Sequence, residues 1–120
     1  MSEGVPEEYL AEPERYFLEW IPKQLDDNEG AHEHFRKVSA VAQFHLTGDG
    51  GGKWYFVLGG PNVEVSAGQH PKPSFTMTMD VDVWRRINRG TLNGLRAYVR
   101  RDLKFSGSRW KLLKVARLFG

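Results

Sequence analysis

His32 and His34 stand two residues apart in a charge-rich segment, and closely spaced histidines are a common start to a zinc site. On a helix, however, positions i and i+2 do not share a face, and no third ligand follows nearby, so the pair predicts no metal centre. His45 and His70 fall in a strand and a loop. Glu7/Glu8, Asp26/Asp27 and Asp80/Asp82 are the paired carboxylates. General acid–base work on a glycoside needs two carboxyls in an enclosed site. The first two pairs read as solvated helix and loop charges, and Asp80 with Asp82 fits a helix cap. The glycines from Gly48 to Gly52, followed by Lys53, invite a phosphate-loop reading. That motif fails because Thr47 takes the first glycine position and Trp54 the Ser/Thr position, and the turn joins two strands instead of opening a helix. Ser66 has glycine two residues after it but Glu64 two before, so no nucleophile elbow can form. With no cysteine there is no thiolate ligand, thiol nucleophile or disulfide. The expectation is a protein with no catalytic residue, no metal and no cofactor.

What remains is apolar. Phe75, Met77 and Met79 alternate along one side of a strand, with Thr76 and Thr78 on the other, and Trp84 follows. Such stripes usually form plain core, yet methionine and aromatic side chains also line adaptable apolar pockets. The residues alone leave both open.

The elements that must position this stripe follow from periodicity. A first helical region spans about residues 6–25, with Tyr9, Tyr16, Phe17, Trp20, Ile21 and Leu25 near helical spacing and a kink or fresh start at Pro22. Residues 26–30 read as a loop and 31–37 as a short helical turn. From Ser39 the period becomes two: Ala40, Ala42, Phe44 and Leu46 form a half-buried strand. After the glycine turn comes residues 53–58, a strand apolar on both faces that needs cover on both, from the rest of the sheet or from another chain. A turn at residues 59–62 precedes a third strand at 63–66, and Phe75 to Met79 make the fourth. Asp80 then caps a helix with Trp84 and Ile87 inward and Gly90 at its stop. Leu92, Leu95 and Val99 recur in the next helix, Leu103 and Phe105 in a short fifth strand, and Ser108 caps a last helix at 109–119. There Trp110, Leu112, Leu113, Val115, Ala116 and Phe119 make a broad apolar face.

At 120 residues the chain is expected to be one domain, 1–120, with a real core. No apolar run approaches the roughly 20 residues of a membrane span, and the acidic N-terminus is unlike a secretory signal, so the expected location is cytoplasmic. The net charge of +2 hides an asymmetry. Residues 81–120 carry eleven lysines and arginines against Asp82 and Asp102, a net +9, while residues 1–80 carry a net −7. The basic half could pair with the acidic N-terminal helix, or face an anionic lipid or ligand. Nucleic acid is disfavoured, since charge alone supports it.

The element order, with Gly50-Gly51-Gly52-Lys53-Trp54, Phe75 to Asp80, Gly90 and Leu103-Lys104-Phe105-Ser106-Gly107 at the right spacing, resembles the sterol carrier protein 2 family over about residues 14–119. Two positions depart from the family pattern: Arg101 stands where a glycine usual in the family precedes the last strand, and Gly94 where proline is frequent. If the backbone at Arg101 needs a positive φ, arginine costs roughly 1 kcal/mol there.

The resemblance implies an α+β fold, a five-stranded mostly antiparallel sheet with helices packed on one face. It implies no enzyme activity, but carriage of a fatty acid, acyl-CoA, isoprenoid or sterol in a tunnel between the sheet and the C-terminal helices. The implied ligand contacts are Phe44, Phe56, Phe75, Met77, Met79, Trp84, Ile87, Leu95, Val99, Phe105, Trp110 and Leu113. Arg96, Arg100, Arg101 and Arg109 would hold a head group or touch an anionic membrane. The alternative is an accessory domain acting through a homodimer or partner interface, without free lipid cargo.

Overall fold

A computed structural model of the chain describes residues 5–27, 37–59 and 63–116. Most of the expected loop at 26–30, of the helical turn at 31–37 and of the turn at 59–62, together with the His32/His34 pair and the end of the last helix, lies outside the described residues. The N-terminal segment restarts twice. Helix α1 (Glu7–Ala11) ends at Glu12, which Pro13 pushes to an extended conformation with φ −128° and ψ 89°. Pro13 then opens α2 (Pro13–Arg15) from a position where its missing N–H costs nothing. A π-helical turn at Tyr16–Trp20 follows, its Ile21 N–H bonded back to the Tyr16 carbonyl. This widened turn sits just ahead of Pro22, which has no N–H to continue an α ladder, and leads into α3 (Ile21–Asp27). The expected single break at Pro22 is thus corrected to an added break at Pro13 and a change of helical pitch before Pro22.

The five strands are β1 (Ala40–Thr47), β2 (Gly52–Leu58), β3 (Glu64–Ala67), β4 (Phe75–Asp80) and β5 (Leu103–Gly107), in the order β3-β2-β1-β4-β5. Three pairs are antiparallel, while β4 runs parallel to β1. The parallel pair follows from the connection at residues 68–74, which leaves the β3 edge and crosses behind β2 and β1 to reach the far side of β1. Gln43, fully buried on that outer face, holds the crossing strap. Its amide donates to the carbonyls of Trp54 (3.1 Å) and Gly68 (3.0 Å) and its oxygen accepts from the His70 N–H (2.9 Å). His70 stands edge-on to Tyr55 at 5.1 Å. The strap therefore supplies some of the outer cover that the doubly apolar β2 requires.

On the inner face, registered residues form rows across the sheet. Phe56, Ala42 and Phe75 make one, Trp54, Phe44, Met77 and Phe105 the next, and Leu46, Met79 and Leu103 the third. Helices α4 (Val81–Asn88), α5 (Gly94–Val99) and α6 (Arg109–Ala116) complete the chain. Asp80 caps α4 by accepting from the Asp82 N–H, Asn93 caps α5 by accepting from Leu95 and Arg96, and the Ser108 hydroxyl accepts from Lys111 N–H. Helices α4 and α5 end in the same way. Gly90 at φ 78° and Arg101 at φ 68° each occupy the left-handed position after the helix. The N–H of the next residue bonds back to Arg86 in α4 and to Ala97 in α5. At Gly107, φ 108°, a Cβ would strike the Ser74 carbonyl and the Phe75 backbone, so only glycine lets β5 lie against the start of β4.

Candidate functional site

The inner face of the sheet is apolar throughout but not evenly sealed. On the β2 side Phe17 stacks on Trp54 with ring centroids 4.8 Å apart and meets Phe44, Phe56 and Trp84 at 5.5, 5.8 and 6.0 Å. Tyr16 packs edge-on to Trp84 at 4.9 Å and stacks on Trp20. Burial pushes the Tyr16 hydroxyl pKa far up, so it stays protonated. On the β4–β5 side the outer rows are buried, through Phe75, Met79 and Leu103, whereas Phe44, Met77 and Phe105 in the middle row are only half-buried. A half-open apolar strip therefore runs across three adjacent strands between two sealed rows. Neighbouring strands lie about 4.8 Å apart, which gives the strip a length of roughly 10 Å.

The helices on this side leave apolar side chains uncovered. In α5 the buried residue is Ala97, while Leu95 is 71% and Val99 72% exposed. The spacing of Leu92, Leu95 and Val99 predicts a common buried face. That expectation is corrected, because only Leu92, in the turn before the helix, and the small Ala97 go inward. In α6, Val115 is buried and Leu112 half-buried, while Trp110 is 79% and Leu113 57% exposed. The apolar face expected of the last helix is thus split between core and surface.

The residues singled out from sequence fall into three groups. Phe56, Phe75, Met79 and Trp84 are core, with Trp84 drawn into the N-terminal aromatic cluster rather than facing α6. Phe44, Met77, Ile87 and Phe105 are half-buried, and Leu95, Val99, Trp110 and Leu113 are exposed. Sheet register brings Phe44, Met77 and Phe105 together, and Phe75 lies 6.0 Å from Phe105 between ring centroids.

The charges also divide. Arg89 forms a two-pronged pair with Glu7 (2.9 Å), holding the Glu7 carboxyl below its ordinary range, and Arg85 donates to the Leu10 carbonyl at 2.8 Å. The acidic N-terminus is thus tied to the basic half through α4. Arg96, Arg100, Arg101 and Arg109 are exposed and enter no salt bridge among the described residues. An open groove of about 410 Å³ runs along α5, lined by Leu95, Arg96, Val99 and Arg100.

Several of the polar groups weighed for catalysis are occupied structurally. Asp80 caps α4, with Gly48 of the β1–β2 turn against its carboxylate, and His45 pairs with Gln69. Among the described residues no three His, Cys, Asp or Glu come together as a metal site, and no helix is long and apolar enough to cross a membrane. Sequence reasoning missed the role of Gln43. Alternation places it on the outward face with Val41 and His45, and no local signal marks the partners it finds in the strap.

Comparison with known proteins bears directly on this arrangement. The model of the SCP-2 sterol transfer family matches residues 18–120. Among solved structures, the chain is similar to apo sterol carrier protein 2 from Yarrowia lipolytica, with a TM-score of 0.65 and 24% identity over 79% of this chain and 86% of that one. It is similar to palmitated sterol carrier protein 2-like 2 from Aedes aegypti, with a TM-score of 0.66 and 23% identity over 87% and 91%. It also matches part of the stereoselective inverting sec-alkylsulfatase Pisa1 from Pseudomonas sp., with a TM-score of 0.57 and 18% identity, covering 75% of this chain and 14% of that one. A search of curated proteins finds no match.

Proposed function

Since the chain belongs to the SCP-2 sterol transfer family, a family of lipid-binding and transfer domains, we propose that it carries an apolar-chain lipid and performs no chemistry on it. The cargo is a fatty acid, acyl-CoA, isoprenoid or sterol. It lies on the half-open strip Phe44–Met77–Phe105, between the sheet and α6, where Leu112 is the half-buried apolar residue of the helix. The observation that carries this reading is the strip itself. A face meant only as core would be sealed in its middle row as it is in the rows on either side. Each methylene removed from water contributes about 0.8 kcal/mol, so the roughly eight methylenes that the strip can cover supply on the order of 6 kcal/mol before ordering costs. The palmitated Aedes relative supports a linear acyl chain on this fold.

Native mass spectrometry of the purified protein, before and after delipidation and incubation with palmitate, tests the proposal. A one-to-one adduct that is restored by palmitate is expected. The alternative reading is an accessory domain without cargo, and it draws support from the sulfatase that contains a segment of this fold. Under that reading the protein yields no adduct and takes up no acyl, isoprenoid or sterol probe.

A further inference from the structure

The half-open strip has two unlike ends. At β2 its row stops on Trp54, which is buried, and Phe17 stacks on that ring at 4.8 Å while standing 5.5 Å from Phe44. Phe17 is itself fully buried and backed by Trp84 at 6.0 Å, so this end is a fixed wall. At the other end the row finishes on Phe105, and β5 is the edge of the sheet, paired with β4 alone. Helix α5 packs beside β5 but turns Leu95 and Val99 outward, so among the described residues it closes this end with no large side chain. The strip is also narrow. Phe75 and Met79 flank Met77 on the same strand face, each about 6.6 Å along the strand, and both are buried.

Resting on the reading of this strip as the cargo site, we propose that Phe17 is a chain-length stop: the cargo is an unbranched acyl chain that enters methyl end first from the β5 edge and ends against Phe17 and Phe44. The direction follows from the two ends. A carboxylate placed among Phe17, Phe44 and Phe56 would exchange its water for aromatic rings, whereas beyond Phe105 it stays hydrated. The length follows from the sheet. Two strand spacings of about 4.8 Å give roughly 10 Å, room for about eight methylenes and a terminal methyl, so the limit lies near ten carbons. Each further carbon extends past the edge strand into water and adds no burial. Width selects in turn, because a single extended chain fits one row, while the fused rings of a sterol need a flanking row to open and those rows are packed core. The four cargo classes thus narrow to straight acyl chains, free or esterified outside Phe105.

The test is isothermal titration calorimetry of the full chain with straight saturated acids from hexanoate to palmitate, each below its micelle concentration, and with a fluorescent sterol as a separate probe. Affinity should rise about fourfold per added methylene up to about ten carbons and then level off. Phe17→Leu should move the levelling point out by about two carbons, and Phe105→Ala should pull it in by a similar amount, because each alters one end of the strip. A residue that only supports packing would lower the affinity for every acid by one factor and leave the levelling point where it is. The sterol should bind at least about tenfold more weakly than decanoate. Affinity that keeps climbing to palmitate, a levelling point that neither variant moves, or a sterol bound as tightly as decanoate would overturn the proposal and leave lipid carriage standing. Failure of every acid to bind would instead remove the cargo reading, and the proposal with it.

Discussion

The two ends of one apolar sheet face behave differently. At the β2 end, Phe17, Tyr16, Trp20 and Trp84 interlock over Trp54 and Phe56, and aromatic pairs of this kind add about 0.5–1.5 kcal/mol each beyond their buried area. At the β4–β5 end the same alternation of large apolar residues is covered by α5 and α6, which turn Leu95, Val99, Trp110 and Leu113 outward and leave Met77 and Phe105 half-open. Apolar composition is therefore not what separates a sealed core from a half-open face. The separation comes from whether the helix above donates its large side chains to the sheet or withholds them.

The strongest test of the contrast is Phe17→Ala. Removing a ring that touches five other aromatic rings should cost about 3–5 kcal/mol in chemical denaturation, and a loss below about 1 kcal/mol would show the cluster is not the structural half. Met77→Gln should do the reverse. Placed in the half-open row, it should change stability by under about 1.5 kcal/mol while weakening fatty-acid uptake about tenfold or more in a fluorescence titration. Unchanged uptake would move the cargo elsewhere.

Smaller effects sharpen the comparison at its boundaries. Helices α4 and α5 share one terminating geometry, yet the first uses Gly90 and the second Arg101 at φ 68°. Arg101→Gly should therefore stabilise the fold by about 1 kcal/mol, read as a raised denaturation midpoint. The Glu7–Arg89 pair ties the N-terminal helix to α4, and its hydrogen bond from Arg89 lowers the Glu7 pKa from the ordinary 4.5. A carboxylate with a lowered folded-state pKa contributes stability that is present above its unfolded value and is lost as pH falls through the folded one. The pair should thus support the fold at neutral pH and stop doing so in acid. Glu7→Gln should flatten the fall in denaturation midpoint between pH 7 and pH 3, and because both side chains are exposed, the difference should shrink further in salt.

Much of the scaffold was legible in the sequence because its signals are local. Strand alternation, the Asp80 cap, the Gly90 stop and the Ser108 cap each depend on residues within a turn of one another. The resemblance carried by Gly50 to Trp54 and Leu103 to Gly107 located the family. Features that depend on distant partners were not legible. Gln43 reads as an ordinary outward strand residue until the 68–74 strap crosses it, and that crossing is also what makes β1 and β4 parallel. The periodicity of Leu92, Leu95 and Val99 pointed to burial, but the small Ala97 lets α5 seat on its other side. The candidate strip illustrates the same limit. Phe44, Met77 and Phe105 were named from sequence among other apolar residues, and only the register of three strands sets them apart from buried Phe75 and Met79.

That separation allows a direct measurement. Met77 and Met79 lie on the same strand face, two residues apart, one half-buried and the other buried. Protein labelled with 13C at the methionine methyl groups, titrated with palmitate, reports on both in one spectrum. The account predicts a large shift of the Met77 methyl and nuclear Overhauser contacts from it to acyl-chain protons, with a much smaller response from Met79. Stoichiometric palmitate binding that leaves the Met77 methyl unmoved, or a chain that contacts neither methyl, would contradict it.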